Sequence, residues 1–157
     1  MDYKDKLLKY AVYYLSRYSS SKKNLEYILK KKIRRLTEEK KVRYELYQEI
    51  NSIINKLEQL KLLNDEFFSE SKINSLLTQA KSKNYIKQYL IRKGVNNKLA
   101  DDQISIFYKK NLNLEKENAL KFARKKNLLN DNENYDKKLS KMARAGFSYE
   151  IAKEILE

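Results

Sequence analysis

A chain of 157 residues with no cysteine, histidine or proline and only two glycines excludes several chemistries at once. It has no disulfide, thiolate nucleophile or cysteine-based zinc site, it lacks the commonest general base, and it has no glycine-rich phosphate loop of the GxxxxGKS/T or GxGxxG kind. Lys and Arg outnumber Asp and Glu by 35 to 21, and a formal net charge of +14 favours an acidic partner: nucleic acid, an anionic membrane or an acidic protein surface.

No apolar run approaches the roughly 18–20 residues that span a bilayer. The N-terminus is mixed in charge and lacks a signal-peptide core. A soluble cytoplasmic protein is the expectation, with no cofactor, no metal and no membrane partner. The absence of Pro and the abundance of Leu, Ile, Lys and Glu predict an all-α fold.

In chain order, the first helix is predicted over Asp5 to Tyr18, with Leu8, Ala11, Val12, Leu15 and Tyr18 on one stripe. Ser19-Ser20-Ser21 breaks it, and one of these serines caps the next helix. That second helix places Leu25, Ile28, Leu29, Ile33 and Leu36 on one face and Lys30, Lys31, Lys32, Arg34 and Arg35 on the other. The periodicity lapses from Thr37 to Arg43, which predicts a loop. The third helix, Tyr44 to Leu62, turns Leu46, Ile50, Ile53, Ile54, Leu57 and Leu60 inward.

At the corner that follows, Asn64 or Asp65 can cap the next helix, and Leu63 with Phe68 fall at the positions of a hydrophobic staple. Helices are predicted over Asp65 to Lys81, Asn84 to Lys93 and Asn97 to Lys110. Three more follow over Glu115 to Asn127, Tyr135 to Ala145 and Ser148 to Leu156, with Leu139, Met142 and Ala143 the apolar stripe of the second. Leu128 to Asn134 reads as a polar turn.

The two glycines stand in equivalent places. Arg92-Lys93-Gly94-Val95 and Arg144-Ala145-Gly146-Phe147 each close a short basic helix, and each leads through an apolar residue to a capping residue, Asn96 or Ser148. This predicts an internal repeat of about 50 residues. The expected architecture is three tandem three-helix repeats, 1–63, 64–111 and 112–157. Each is too thin to bury its core alone, so the repeats stack into a curved, elongated rod.

These residues resemble a known family. Leu62-Leu63-Asn64-Asp65-Glu66-Phe67-Phe68, then Ile86, then Leu90-Ile91-Arg92-Lys93-Gly94-Val95, is similar to the central motif of the RecX regulatory proteins. Arg144-Ala145-Gly146-Phe147-Ser148-Tyr149-Glu150-Ile151 resembles the C-terminal motif of that family. Ser21, Leu25 and Leu29-Lys30-Lys31-Lys32 resemble its basic second helix. The likeness runs from about Leu7 to Leu156. The chain departs from the family at Ile33, where a glycine often stands. It departs again at Ser82-Lys83-Asn84-Tyr85, where many members carry Gly-Pro and paired arginines.

The resemblance implies a modulator of the RecA recombinase. Such a protein lies along the helical groove of RecA filaments on single-stranded DNA and inhibits ATPase, strand exchange and coprotease activity. It thereby acts in DNA repair, recombination and the SOS response. A monomer with no catalytic activity of its own is expected, with weak direct DNA binding beside the strand held in the filament. The candidate contacts are Lys30, Lys31, Lys32, Arg34 and Arg35, then Lys87, Arg92 and Lys93, then Lys137, Lys138, Lys141 and Arg144, each set on the middle helix of its repeat. A competing reading makes these ordinary solvated faces whose last-turn cations offset helix dipoles. A second alternative is a generic basic nucleic-acid binder without a recombinase partner. An enzyme built on Asp101-Asp102 or Asp131 with Glu133 is disfavoured, because no His, Cys or glycine loop accompanies them.

Overall fold

The computed structural model describes residues 2–131 and 133–157; Met1 and Asn132, the latter in the predicted polar turn, lie outside the described residues. Among the described residues all regular structure is α-helical. The helices are α1 (Tyr3–Arg17), α2 (Lys22–Leu36), α3 (Lys40–Gln59), α4 (Asp65–Thr78), α5 (Lys83–Arg92), α6 (Asn97–Lys110), α7 (Leu114–Lys125), α8 (Tyr135–Arg144) and α9 (Tyr149–Leu156). The chain divides into two compact units. One holds the residues up to Phe68 with Lys93–Val95, and the other holds Ser69–Arg92 and Asn96–Glu157.

In the first unit α1, α2 and α3 pack pairwise on one another. Their core joins Leu7 and Ala11 to Leu25, Leu29 and Ile33 and to the inner face of α3. Two apolar positions expected inside are exposed, Val12 and Tyr18. The buried line of α1 is Leu7–Ala11, an i, i+4 pair, and Val12 lies one step round from it. Leu60 is also exposed, because α3 stops at Gln59 and the chain reverses at Lys61.

The predicted loop from Thr37 to Arg43 is shorter than expected, since α3 already begins at Lys40. Arg43 explains why. Its backbone N–H bonds the Glu39 carbonyl, while its guanidinium donates to the carbonyls of Thr37 at 2.7 Å and Arg34 at 3.0 Å. An arginine therefore satisfies the orphan carbonyls at the end of α2, where Ile33 is core and no glycine closes the helix.

Asn64 caps α4 through Phe67 N–H at 3.0 Å, and Leu63 and Phe68 are both buried, as the staple requires. In the second unit α5 packs on α6, and α7 and α8 pack on α9. The α7–α9 core is Ala119, Ala123, Leu128, Met142, Phe147 and Ala152. Leu128 was expected in a polar turn but is buried, because its N–H reaches back to the Ala123 carbonyl at 2.8 Å and folds it onto α7. Ala143, expected on the α8 stripe, is exposed, and Lys138 takes a place inside.

The glycine stops are part of a wider pattern. Among the described residues five adopt the left-handed conformation: Gly94 and Gly146, and also Lys61, Ala80 and Asn127. The stops at Lys61, Ala80, Asn127 and Gly146 share one pair of backwards hydrogen bonds, such as Leu62 N–H to Leu57 and Lys61 N–H to Glu58. Contact decides which of the five must be glycine. A Cβ on Gly94 would fall inside contact distance of Lys23 Cβ, and one on Gly146 would strike the Ser82 hydroxyl.

Candidate basic binding surfaces and the junctions that hold them

Both glycines sit in the same local device. Ser21 caps α2, accepting from Asn24 N–H at 3.1 Å, and its hydroxyl donates to the carbonyl of Lys93, the residue before Gly94. The neighbouring Lys22 N–H is bound by the Asp65 carboxylate at 2.8 Å. In the second unit Ser82 caps α5 through Tyr85 N–H at 3.1 Å and donates to the carbonyl of Ala145, the residue before Gly146, at 2.7 Å. There the neighbouring Lys83 N–H is bound by Glu115 at 3.0 Å. Each serine is fully buried, so its hydroxyl serves one helix start and one helix end without solvent. Each glycine is needed because a hydroxyl-bearing helix start comes this close.

Glu115 also accepts the Tyr108 hydroxyl at 2.8 Å. Burial holds the Glu115 carboxyl above the ordinary carboxylate range, against the pull of its Tyr108 and Lys83 hydrogen bonds. Burial, reinforced by the Glu115 carboxylate, pushes the Tyr108 phenol well above its usual value. The pair is a structural clasp. No group of three or more metal-ligating side chains stands together among the described residues. Among the same residues, no helix is long and apolar enough to cross a membrane.

The basic residues singled out from sequence fare unequally. On α2, Lys30 is bridged to Glu26 at 2.8 Å, and Lys31 and Lys32 lie over the rings of Tyr27 and Tyr10 at 5.0 and 4.6 Å. The side chains of Arg34 and Arg35 are exposed at the end of that helix. In the second unit Lys87 pairs with Asp101 at 2.9 Å, and Arg92 stands 5.9 Å from the Tyr85 ring. Lys93 is half-buried, and its carbonyl receives Ser21.

On α8, Lys137 is exposed and its N–H is capped by Asn134, Lys141 bridges Glu133 at 2.7 Å, and the Arg144 side chain bonds the Ser140 carbonyl. The Lys141 ammonium holds the Glu133 carboxyl below its ordinary value. Lys138 is buried, and its ammonium is held by the Asn130 carbonyl. The signal for this was its place one turn before the core residue Met142.

Lys141 and Arg144 face a groove that also gathers Lys81, Lys125 and Lys126, none of them a sequence candidate. Lys125 and Lys126 close α7, and Lys81 follows α4. They lie far apart in the chain and meet only by packing within the second unit. The one sequence cue was that each lies at a helix end.

These features define a basic, all-helical protein whose short helices are tied by buried serines and closed by left-handed stops. No protein-family model matches the chain. Regulatory protein RecX of Myxococcus xanthus (strain DK1622) is 31% identical over 160 residues, covering 94% of this chain and 82% of that protein. The crystal structure of RecX from Lactobacillus salivarius superposes with a TM-score of 0.71 at 30% identity, over 98% of this chain and 94% of that one. A second crystal structure of regulatory protein RecX matches in fold, with a TM-score of 0.70 at 20% identity over 97% of this chain and 70% of that one. The chain belongs to the RecX family of regulatory proteins.

Proposed function

We propose that this protein binds filaments of the RecA recombinase on single-stranded DNA, lies along their helical groove, and lowers their ATPase, strand-exchange and coprotease activities. It does so in the cytoplasm as a monomer, through binding alone and without chemistry of its own. The observation that carries this reading is membership of the RecX family over nearly the whole chain. The physical chemistry agrees with it. A protein of formal charge +14 is drawn to a filament that presents phosphates and acidic surface. Contacts with phosphate position a protein and add affinity without reading sequence, as a regulator of any filament requires.

In this reading the chain is three repeats, 1–63, 64–111 and 112–157. The two equivalent Ser–carboxylate–Gly devices support that division, because the second reproduces the first in both donors and both acceptors. The basic end of α2, with Arg34 and Arg35 exposed, supplies the first contact set.

The test is titration of the protein into RecA-coated single-stranded DNA while ATP hydrolysis is followed, beside a folded variant with Lys30, Lys31, Lys32, Arg34 and Arg35 changed to Ala. Hydrolysis is expected to fall with the wild type and to fall much less with the variant. Unchanged hydrolysis with the wild type refutes the reading and leaves a nucleic-acid binder without a recombinase partner.

A further inference from the structure

Three cavities of the molecule differ in charge. The one lined by Leu15, Lys61 and Phe67 sets Arg17 and Lys61 against Glu58. The one between α5 and α6 sets Lys83 and Lys87 against Asp101 and Glu115. The third, of about 590 Å³, lies wholly in the second unit; Lys81, Lys125, Lys126, Lys141 and Arg144 surround Tyr85 and Phe122, and no carboxylate lines it.

The ordinary explanation of such a cluster is compensation of helix dipoles, and here its size can be judged. The ends of α4, α7 and α8 converge on the groove. Each C-terminus carries roughly half a negative charge, so together they offset about one and a half of the five cations. Lys141 is further neutralised by Glu133, which stands outside the lining. An excess of about two and a half positive charges remains after these offsets. Tyr85 concentrates more charge at the rim, with Lys81 at 4.6 Å and Arg92 at 5.9 Å from its ring.

We propose that this groove is a binding site for single-stranded nucleic acid, with Lys81, Lys125, Lys126 and Arg144 taking successive phosphates. The proposal rests on the filament reading for the identity of the strand as DNA, and it names where that strand meets the second unit. Lysine ammoniums on flexible stems suit phosphates as point charges and impose no orientation. The aromatic surface between them offers an apolar wall to bases or sugars, the combination that sequence-tolerant single-strand sites use. A recess between helix ends admits a flexible backbone.

The experiment is fluorescence anisotropy with a short labelled oligothymidylate, read as affinity against salt. The groove variant Lys81→Ala, Lys125→Ala, Lys126→Ala is compared with a charge-matched control on exposed lysines outside every candidate contact set, Lys9→Ala, Lys41→Ala, Lys56→Ala. The groove variant is expected to lose at least about tenfold in affinity and to flatten the log–log salt slope by about 2, near 0.7 per lost single-strand contact. The control is expected to stay within about twofold. If the triple variant loses helical signal, the double variant of the exposed Lys125 and Lys126 replaces it. Its slope change is expected near 1.4. Equal losses in groove variant and control overturn the site, as does absent wild-type binding. Groove-dependent binding of a polyglutamate probe in place of the oligonucleotide also overturns it, in favour of an acidic protein partner. The RecA hydrolysis assay separates the two readings. Groove-dependent oligonucleotide binding without inhibition keeps the site and refutes the regulator, and inhibition without it does the reverse.

Discussion

At Ser21 the carboxylate that binds the helix start is Asp65, the first residue of α4; at Ser82 it is Glu115, the second residue of α7. The longer glutamate reaches the same kind of N–H from one position later. It lies deep enough that burial raises its pKa, and it gathers a second donor, the Tyr108 hydroxyl. The two glycines differ in the same way. Gly94 is pressed by Lys23 Cβ, which the backbone fixes, whereas Gly146 is pressed by the Ser82 hydroxyl, which can turn only by giving up its hydrogen bonds. One plan is thus met by two sets of parts, the first constrained by sterics and the second by a buried polar network.

Breaking the steric junction should have the largest effect. Gly94→Ala puts a Cβ against Lys23 at a φ of 88° and is expected to cost about 3 kcal/mol, from left-handed strain plus overpacking. Urea denaturation followed by circular dichroism measures it. A loss below about 1 kcal/mol would mean that α2 yields freely at Lys23.

Breaking the polar junction comes next. Ser82→Ala removes a helix cap and leaves the Ala145 carbonyl without its donor, an expected loss of about 2 kcal/mol. Ser82→Thr, which keeps the hydroxyl, should recover part of it if the hydrogen bonds matter more than the space.

The Glu115 difference has a pH signature. Its folded-state pKa is raised, so between the ordinary carboxylate value and that raised value the folded protein holds a proton the unfolded chain has released. This contribution to stability is fully present below the ordinary value and is lost as pH rises through the raised one. Glu115→Gln should flatten that part of the profile, measured as urea midpoints from about pH 4 to about pH 7. An unchanged slope would assign the dependence to another group.

What the sequence made legible follows from how local each signal is. The nine helices among the described residues were announced by apolar spacing, and the caps at Asn96 and Ser148 by residue type. The second duty of Ser21 and Ser82, donating to a carbonyl 72 and 63 residues away, leaves no local trace. The stops at Lys61, Ala80 and Asn127 were hidden because two of the three residues are not ones that favour a left-handed turn. Arg43 was hidden in a stretch without periodicity, since its role is to hold the end of α2. On the basic surfaces, Lys141 and Arg144 were legible as a helical face, while Lys81, Lys125 and Lys126 join them only through tertiary packing.

The smallest expected effect has the opposite sign and tests why only two of five stops are glycine. Lys61 is exposed at φ 58°, and its Cβ is accommodated, so the strain there is intrinsic to the backbone. Lys61→Gly removes that strain, roughly 1–2 kcal/mol for an L-residue, at the cost of a more flexible unfolded chain. A net gain of about 0.5 kcal/mol is expected in the same urea experiment, with Lys61→Asn between the two. If Lys61→Gly destabilises instead, the lysine stem contributes more at this corner than its exposure implies. If it stabilises while Gly94→Ala destabilises, one backbone conformation has opposite preferences at two sites. The cause is then the neighbour that approaches Gly94 and has no counterpart at Lys61.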